Sequence, residues 1–112
     1  MSEIKNATIA SASITNDDHG CLGSWIGMDY GHGLRQSFGG YALYLPKSFT
    51  NHELKSVAGH WMYRCLKVAG TNDWSKMTGR TVRVQIGDDG SIEGIGHITE
   101  NDWFFPKKEF TK

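Results

Sequence analysis

Only one stretch of this chain carries a sustained helical period, which limits the fold to a sheet covered by a single helix. The apolar residues Leu54, Val57, Ala58, Trp61, Met62, Cys65 and Leu66 recur at spacings of three and four. That is one stripe of an amphipathic helix, with His52, Lys55, Arg64 and Lys67 mostly outside it. Thr50 followed by Glu53 forms a capping box, in which hydroxyl and carboxylate satisfy free amides at a helix start. Gly70 stands where a helix C-terminus takes a left-handed residue, and Pro46 closes the segment before the helix.

The flanking sequence reads as strands. Lys5 to Asn16 is rich in Ile, Thr, Ser and Ala with loose alternation, and Asp17-Asp18-His19-Gly20 is a turn. Cys21 to Tyr30 alternates, with Leu22, Ser24, Ile26, Met28 and Tyr30 on one face and Trp25 and Asp29 on the other. Gly31-His32-Gly33 reverses the chain again. Leu34 to Leu45 follows as a third strand, broken at Gly39-Gly40 by a bulge or a close approach. Beyond the helix, Trp74 packs down in a short turn. Thr81 to Ile86 then alternates cleanly, Asp88-Asp89-Gly90 is a hairpin signal, and Ser91 to Thr99 returns. The expected fold is α+β: a twisted antiparallel sheet of about five strands, in the order β-β-β-α-β-β, packed on one amphipathic helix. At 112 residues and 12.5 kDa the chain is one domain, with an ordered core over about 5–106.

Composition removes several function classes. Twelve basic and twelve acidic residues cancel, which argues against duplex nucleic acid as a partner and against an acidic DNA mimic. No apolar run reaches membrane-spanning length and the start lacks a signal-peptide layout, so a cytoplasmic protein with no membrane partner is expected. Cys21 and Cys65 have no metal-ligand spacing and read as two small semi-buried side chains.

The candidate chemistry lies in histidines and glycines. His19 in DDHG, His32 in GHG and His97 in GHIT each have glycine alongside, where the backbone turns sharply or approaches a ligand. One reading leaves His19 and His32 as solvent-facing turn tips and His97 on a polar strand face. The other brings His19 and His97 into one pocket, with Asp18 or Asp17 orienting an imidazole, as general acid and base for a phosphodiester. The single H-x-T tripeptide, His97-Ile98-Thr99, lacks the second copy that two-histidine phosphoesterases use. No spacing matches a metal-ligand set, so no metal and no cofactor are expected.

Gly31 to Tyr41 holds four glycines with Arg35, Gln36, Phe38 and Tyr41. Amides around Gly39 and Gly40 and paired hydrogen bonds from Arg35 suit a phosphate, and Phe38 or Tyr41 suits a base. On the opposing reading the glycines serve hairpin curvature and Phe38 fills the core. Trp103-Phe104-Phe105-Pro106 either closes the core or builds a subunit interface.

Asp18-His19-Gly20, Gln36-x-Phe38-Gly39-Gly40-Tyr41, Gly96-His97-Ile98 and Trp103-Phe104, in that order, resemble a family of small uncharacterised proteins encoded in bacteriophage and prophage genomes. The similarity runs from about Asn6 to Pro106 and departs from the family at Lys47 to Asn51. The resemblance implies a counter-defence factor acting in the host cytoplasm. Such a factor would bind and sequester a nucleotide-derived immune signal, of the cyclic dinucleotide or cyclic ADP-ribose type, as a homo-oligomer. The implied ligand-binding residues are Asp18, His19, Arg35, Gln36, Phe38, Gly39, Gly40, Tyr41 and His97. Alternatives are a metal-independent phosphodiesterase using His19 and His97, and an inhibitor that binds a host defence protein.

Overall fold

The computed structural model describes residues 3–18, 21–41, 43 and 57–110, and for Asp17, Asp18 and Cys21 the backbone alone. The expected capping box of Thr50 and Glu53, along with Leu54, His52, Lys55 and Pro46, lies outside the described residues.

The first strand organises the sheet because it serves two partners in succession. β1 (Glu3–Asp18) pairs through Glu3 to Thr8 with β4 (Thr81–Ile86), and from Thr8 to Asp18 with β2 (Cys21–Gly31). The exchange is marked by a register shift between Ile9 and Ser11, a bulge that re-aims the strand. Ile9 holds both sides of it, donating to the Arg80 carbonyl at 2.8 Å and accepting from the Gly79 amide at 2.7 Å. β3 (Leu34–Gly39) lies against β2, β5 (Ile92–His97) against β4, and β6 (Trp103–Phe104) against β5. The result is one antiparallel sheet in the order β3-β2-β1-β4-β5-β6. Six strands form where about five are expected, because two residues of the aromatic segment pair with Ile95 and Gly96. The sheet curls enough for Gln36 of β3 to donate to the Gly90 carbonyl of the β4–β5 turn at 2.7 Å.

One helix, α1 (Val57–Ala69), covers the inner face. Its buried residues Ala58, Trp61, Cys65 and Val68 join Ile9, Ile26, Met28, Phe38, Val82, Val84, Ile95 and Phe104 in a single core. Each large apolar side chain in that core contributes about 1.5–3 kcal/mol relative to exposure. Met62, which falls in the stripe by spacing, is exposed beside Tyr63, so the sheet covers a narrower helical face than the spacing suggests. The helix ends in a Schellman motif. Gly70 adopts φ +75°, the Thr71 amide reaches the Leu66 carbonyl, and the Gly70 amide reaches that of Lys67. Arg80 donates to the carbonyls of Ala69 and Gly70.

The C-terminal aromatics split between the two faces. Phe104 enters the core, while Trp103 and Phe105 stack outside with planes 15° apart. They lie over Gly96 and Gly94, where added β-carbons would come within 2.6 Å and 2.3 Å of the rings. Beyond them the chain forms a short helix, α2 (Pro106–Phe110). Arg64 of α1 clamps it, donating to Glu109 at 3.1 Å, to Asp102 at 3.1 Å and to the Trp103 carbonyl at 2.7 Å. Burial alone would lower the Arg64 pKa, but its bonds to Glu109 and Asp102 outweigh that and raise it. His60 completes the cluster, with Nε2 2.7 Å from a Glu109 oxygen.

Candidate functional site

The residues singled out by sequence separate into three places. His19 lies outside the described residues, as does Gly20. The backbone of Asp18 pairs with that of Cys21 at the far end of the β1–β2 ladder. His97 is at the opposite end of the sheet, in a row with Val82 and Ala7. Ala7 and Asp18 are eleven positions apart, on the order of 30 Å along β1. Gln36 is distant from His97 in another direction, since it is bound at the β4–β5 turn and His97 ends β5, roughly 17 Å along the strand.

His97 is committed to a turn. Its Nδ1 accepts the amides of Thr99 at 3.2 Å and Glu100 at 3.1 Å. With two amides donating to Nδ1, the neutral ring carries its hydrogen on Nε2, which is a donor there. Arg83 braces the same turn by donating to the carbonyls of His97 and Glu100, both at 2.8 Å. His32 is a turn tip: with Gly33 it forms the two-residue loop of the β2–β3 hairpin, at φ 56° and 78°.

In the glycine-rich segment, Phe38 is a core residue at 1% exposure, stacked on Trp61 with centroids 5.2 Å apart. Tyr41 is half-buried against the same two rings. Burial first, then the Glu93 carboxylate, raises its pKa. Gln36 accepts from the Tyr30 hydroxyl at 2.7 Å as well as donating to Gly90. Gly39 and Gly40 carry the chain past β2: the Gly40 amide bonds the Ser24 carbonyl at 2.9 Å and that of Leu43 bonds Leu22 at 3.2 Å.

Arg35 alone of the segment's functional side chains points from the outer face into open space, with 71% of its side chain exposed. It stands in register with Asp29, and its guanidinium is 3.8 Å from that carboxylate. The next outer row across three strands is Ser11, Gly27 and Ser37, and the one beyond is Ser13, Trp25 and Gly39. A β-carbon on Gly27 would lie 2.5 Å from Ser11 Oγ, so the glycine makes room for that hydroxyl. Trp25 is 51% exposed, and its indole lies against the bare backbone of Gly40, 2.4 Å from where a β-carbon would be. Arg35 and Trp25 thus bracket a shelf floored by Gly27, with their rows roughly 13 Å apart along β2. A depression of about 280 Å³ opens at the Arg35 end, beside the β1 bulge, bordered by Ala10, Ser11, Gly27, Arg35 and Ser37; Trp25 stands outside it, its indole laid over Gly40.

Trp25 and the serines were not singled out as site residues. The signal that finds them is in the sequence: alternation places Trp25 and Asp29 together on the face opposite the core positions. No group of three or more metal-ligating side chains occurs among the described residues. No helix among them is long and apolar enough to cross a membrane. In comparison with known proteins, no family model, no curated protein and no solved structure matches this chain.

Proposed function

We propose that this protein binds and sequesters a small nucleotide-derived ligand without cleaving it, on the outer-face shelf between Trp25 and Arg35. The observation that carries the reading is a glycine-floored depression edged by an exposed guanidinium, with an exposed indole further along the same face. The indole offers a stacking face to a base, the Ser11 and Ser37 hydroxyls suit a sugar, and Arg35 suits a phosphate. The Arg35–Asp29 contact is long and solvated, so a phosphate can displace it at little cost. Binding is favoured over hydrolysis because two backbone amides already occupy His97 Nδ1 and the residue lies far from the backbone of Asp18. Together with the resemblance to phage proteins, this points to a counter-defence factor in the host cytoplasm, and to a cyclic dinucleotide or cyclic ADP-ribose type signal as ligand.

Equilibrium dialysis against a panel of such compounds tests the reading. One compound should bind the native protein. Trp25→Ala and Arg35→Ala should each weaken it about fivefold or more, as expected from losing about 1–3 kcal/mol of stacking or of a charge-assisted hydrogen bond. Binding that survives both substitutions places the ligand elsewhere. If no compound binds, the reading fails and a protein partner takes its place.

A further inference from the structure

A second collection of donors lies at the C-terminal end of α1, away from the shelf. An open groove of about 510 Å³ is lined by Gly70, Thr71, Asn72, Lys76 and Arg80. No acidic residue is among them. The nearest carboxylate in sequence, Asp73, is turned into its own loop, accepting from the amide of Ser75 at 3.0 Å and its hydroxyl at 2.7 Å. Because Gly70 has no side chain, two donor groups can close on its backbone. The position a β-carbon would take there is 3.3 Å from His97 Nε2 and 3.5 Å from Arg80 Nη2. His97 presents a hydrogen at that nitrogen, since its Nδ1 is occupied by two amides. Thr71 Oγ1 accepts the Asp73 amide at 3.3 Å, leaving its own hydrogen to donate.

The end of a helix ordinarily repels anions, because its last carbonyls are unpaired. Here three of the last four are bonded, Leu66 and Lys67 by the Schellman amides and Ala69 by Arg80, which also holds the Gly70 carbonyl beyond them. The guanidinium also places a full positive charge at that end, and its other N–H groups remain to donate.

We infer that the groove in front of Gly70 is an anion site for phosphate or a phosphate monoester, with Lys76, Arg80, His97, Thr71 and Asn72 as donors. This site is independent of the shelf. Its test is a titration followed by amide and imidazole NMR at constant ionic strength, using inorganic phosphate in one arm and ribose 5-phosphate in the other. Saturable shifts are expected at Gly70, Thr71, Asn72 and His97 Nε2. Tighter binding in the second arm would identify an ester as the natural occupant, and tighter binding in the first would identify the free ion. Lys76→Ala should weaken binding at least threefold and Asn72→Asp at least tenfold, both being exposed positions the fold tolerates. Arg35→Ala, which removes the shelf's cation, should leave these shifts unchanged. Shifts that do not saturate, that ignore both groove substitutions, or that vanish with Arg35→Ala would overturn the inference.

Discussion

Phe38 and Trp61 stack with centroids 5.2 Å apart and planes 21° from parallel, one ring from the β-sheet edge and the other from the helix. Phe104 meets both edge-on, at 6.4 Å and 5.5 Å, and all three are fully buried. This triad joins the N-terminal three strands to the helix and to the C-terminal strand. Phe38→Ala should therefore cost about 3–5 kcal/mol, from lost apolar contact and the cavity left behind. Urea unfolding measures it, and a loss under about 1 kcal/mol would show that Phe38 is not a core anchor.

Arg64 is 15% exposed at its side chain and is the shared partner of Glu109 and Asp102. Arg64→Met keeps the stem but strands two partly buried carboxylates. The expected cost is about 2–3 kcal/mol, below that of breaking a fully buried pair because water reaches both acids. Hydrogen exchange should show the loss at residues 102–110 before the rest of the sheet, and uniform loosening would contradict the clamp.

Cys65 is fully buried under the sheet, and burial pushes its thiol well above the usual range, with Arg64 only partly offsetting this. A thiol held protonated does not react. Iodoacetamide at pH 8 should leave Cys65 unmodified in the native protein and alkylate it in urea, as read by peptide mass spectrometry. Rapid native modification would mean that α1 opens readily.

Asp89 accepts from the hydroxyl of Ser91 at 2.7 Å and its amide at 3.0 Å, and these bonds lower its pKa. A carboxylate whose folded pKa lies below its unfolded one stabilises the fold above the unfolded value. That contribution disappears as pH falls through the folded value. Asp89→Asn should thus destabilise at pH 7, with the gap from the parent protein closing as pH falls below the ordinary carboxylate range. A gap that widened on acidification would reverse the assignment.

What the sequence made legible is what depends on neighbours along the chain. The helical stripe placed Ala58, Trp61 and Cys65 in the core, and period-two alternation sorted β2 into Ile26 and Met28 inside, Trp25 and Asp29 outside. What was not legible depends on partners far away. Phe38 becomes core only because Trp61 lands on it, 23 residues later. Arg64 looked like a solvated helix residue, and its role appears only when Asp102 and Glu109 arrive from 38 and 45 residues downstream. β6 is two residues long, too short for alternation to register. The role of His97 turned on which of its nitrogens the backbone would occupy, and that is set by the turn at Thr99 and Glu100.

The central claim is that the ligand is held intact on the shelf. Its most direct measurement is mass spectrometry of each candidate compound incubated with the protein, in the supernatant before and after heat denaturation, for the parent chain and for Arg35→Ala. The account expects one compound to disappear from the free pool with the parent chain and return unchanged on heating, and to stay free with Arg35→Ala. A linear or otherwise altered product would contradict it, since that requires chemistry which the committed nitrogen of His97 does not supply.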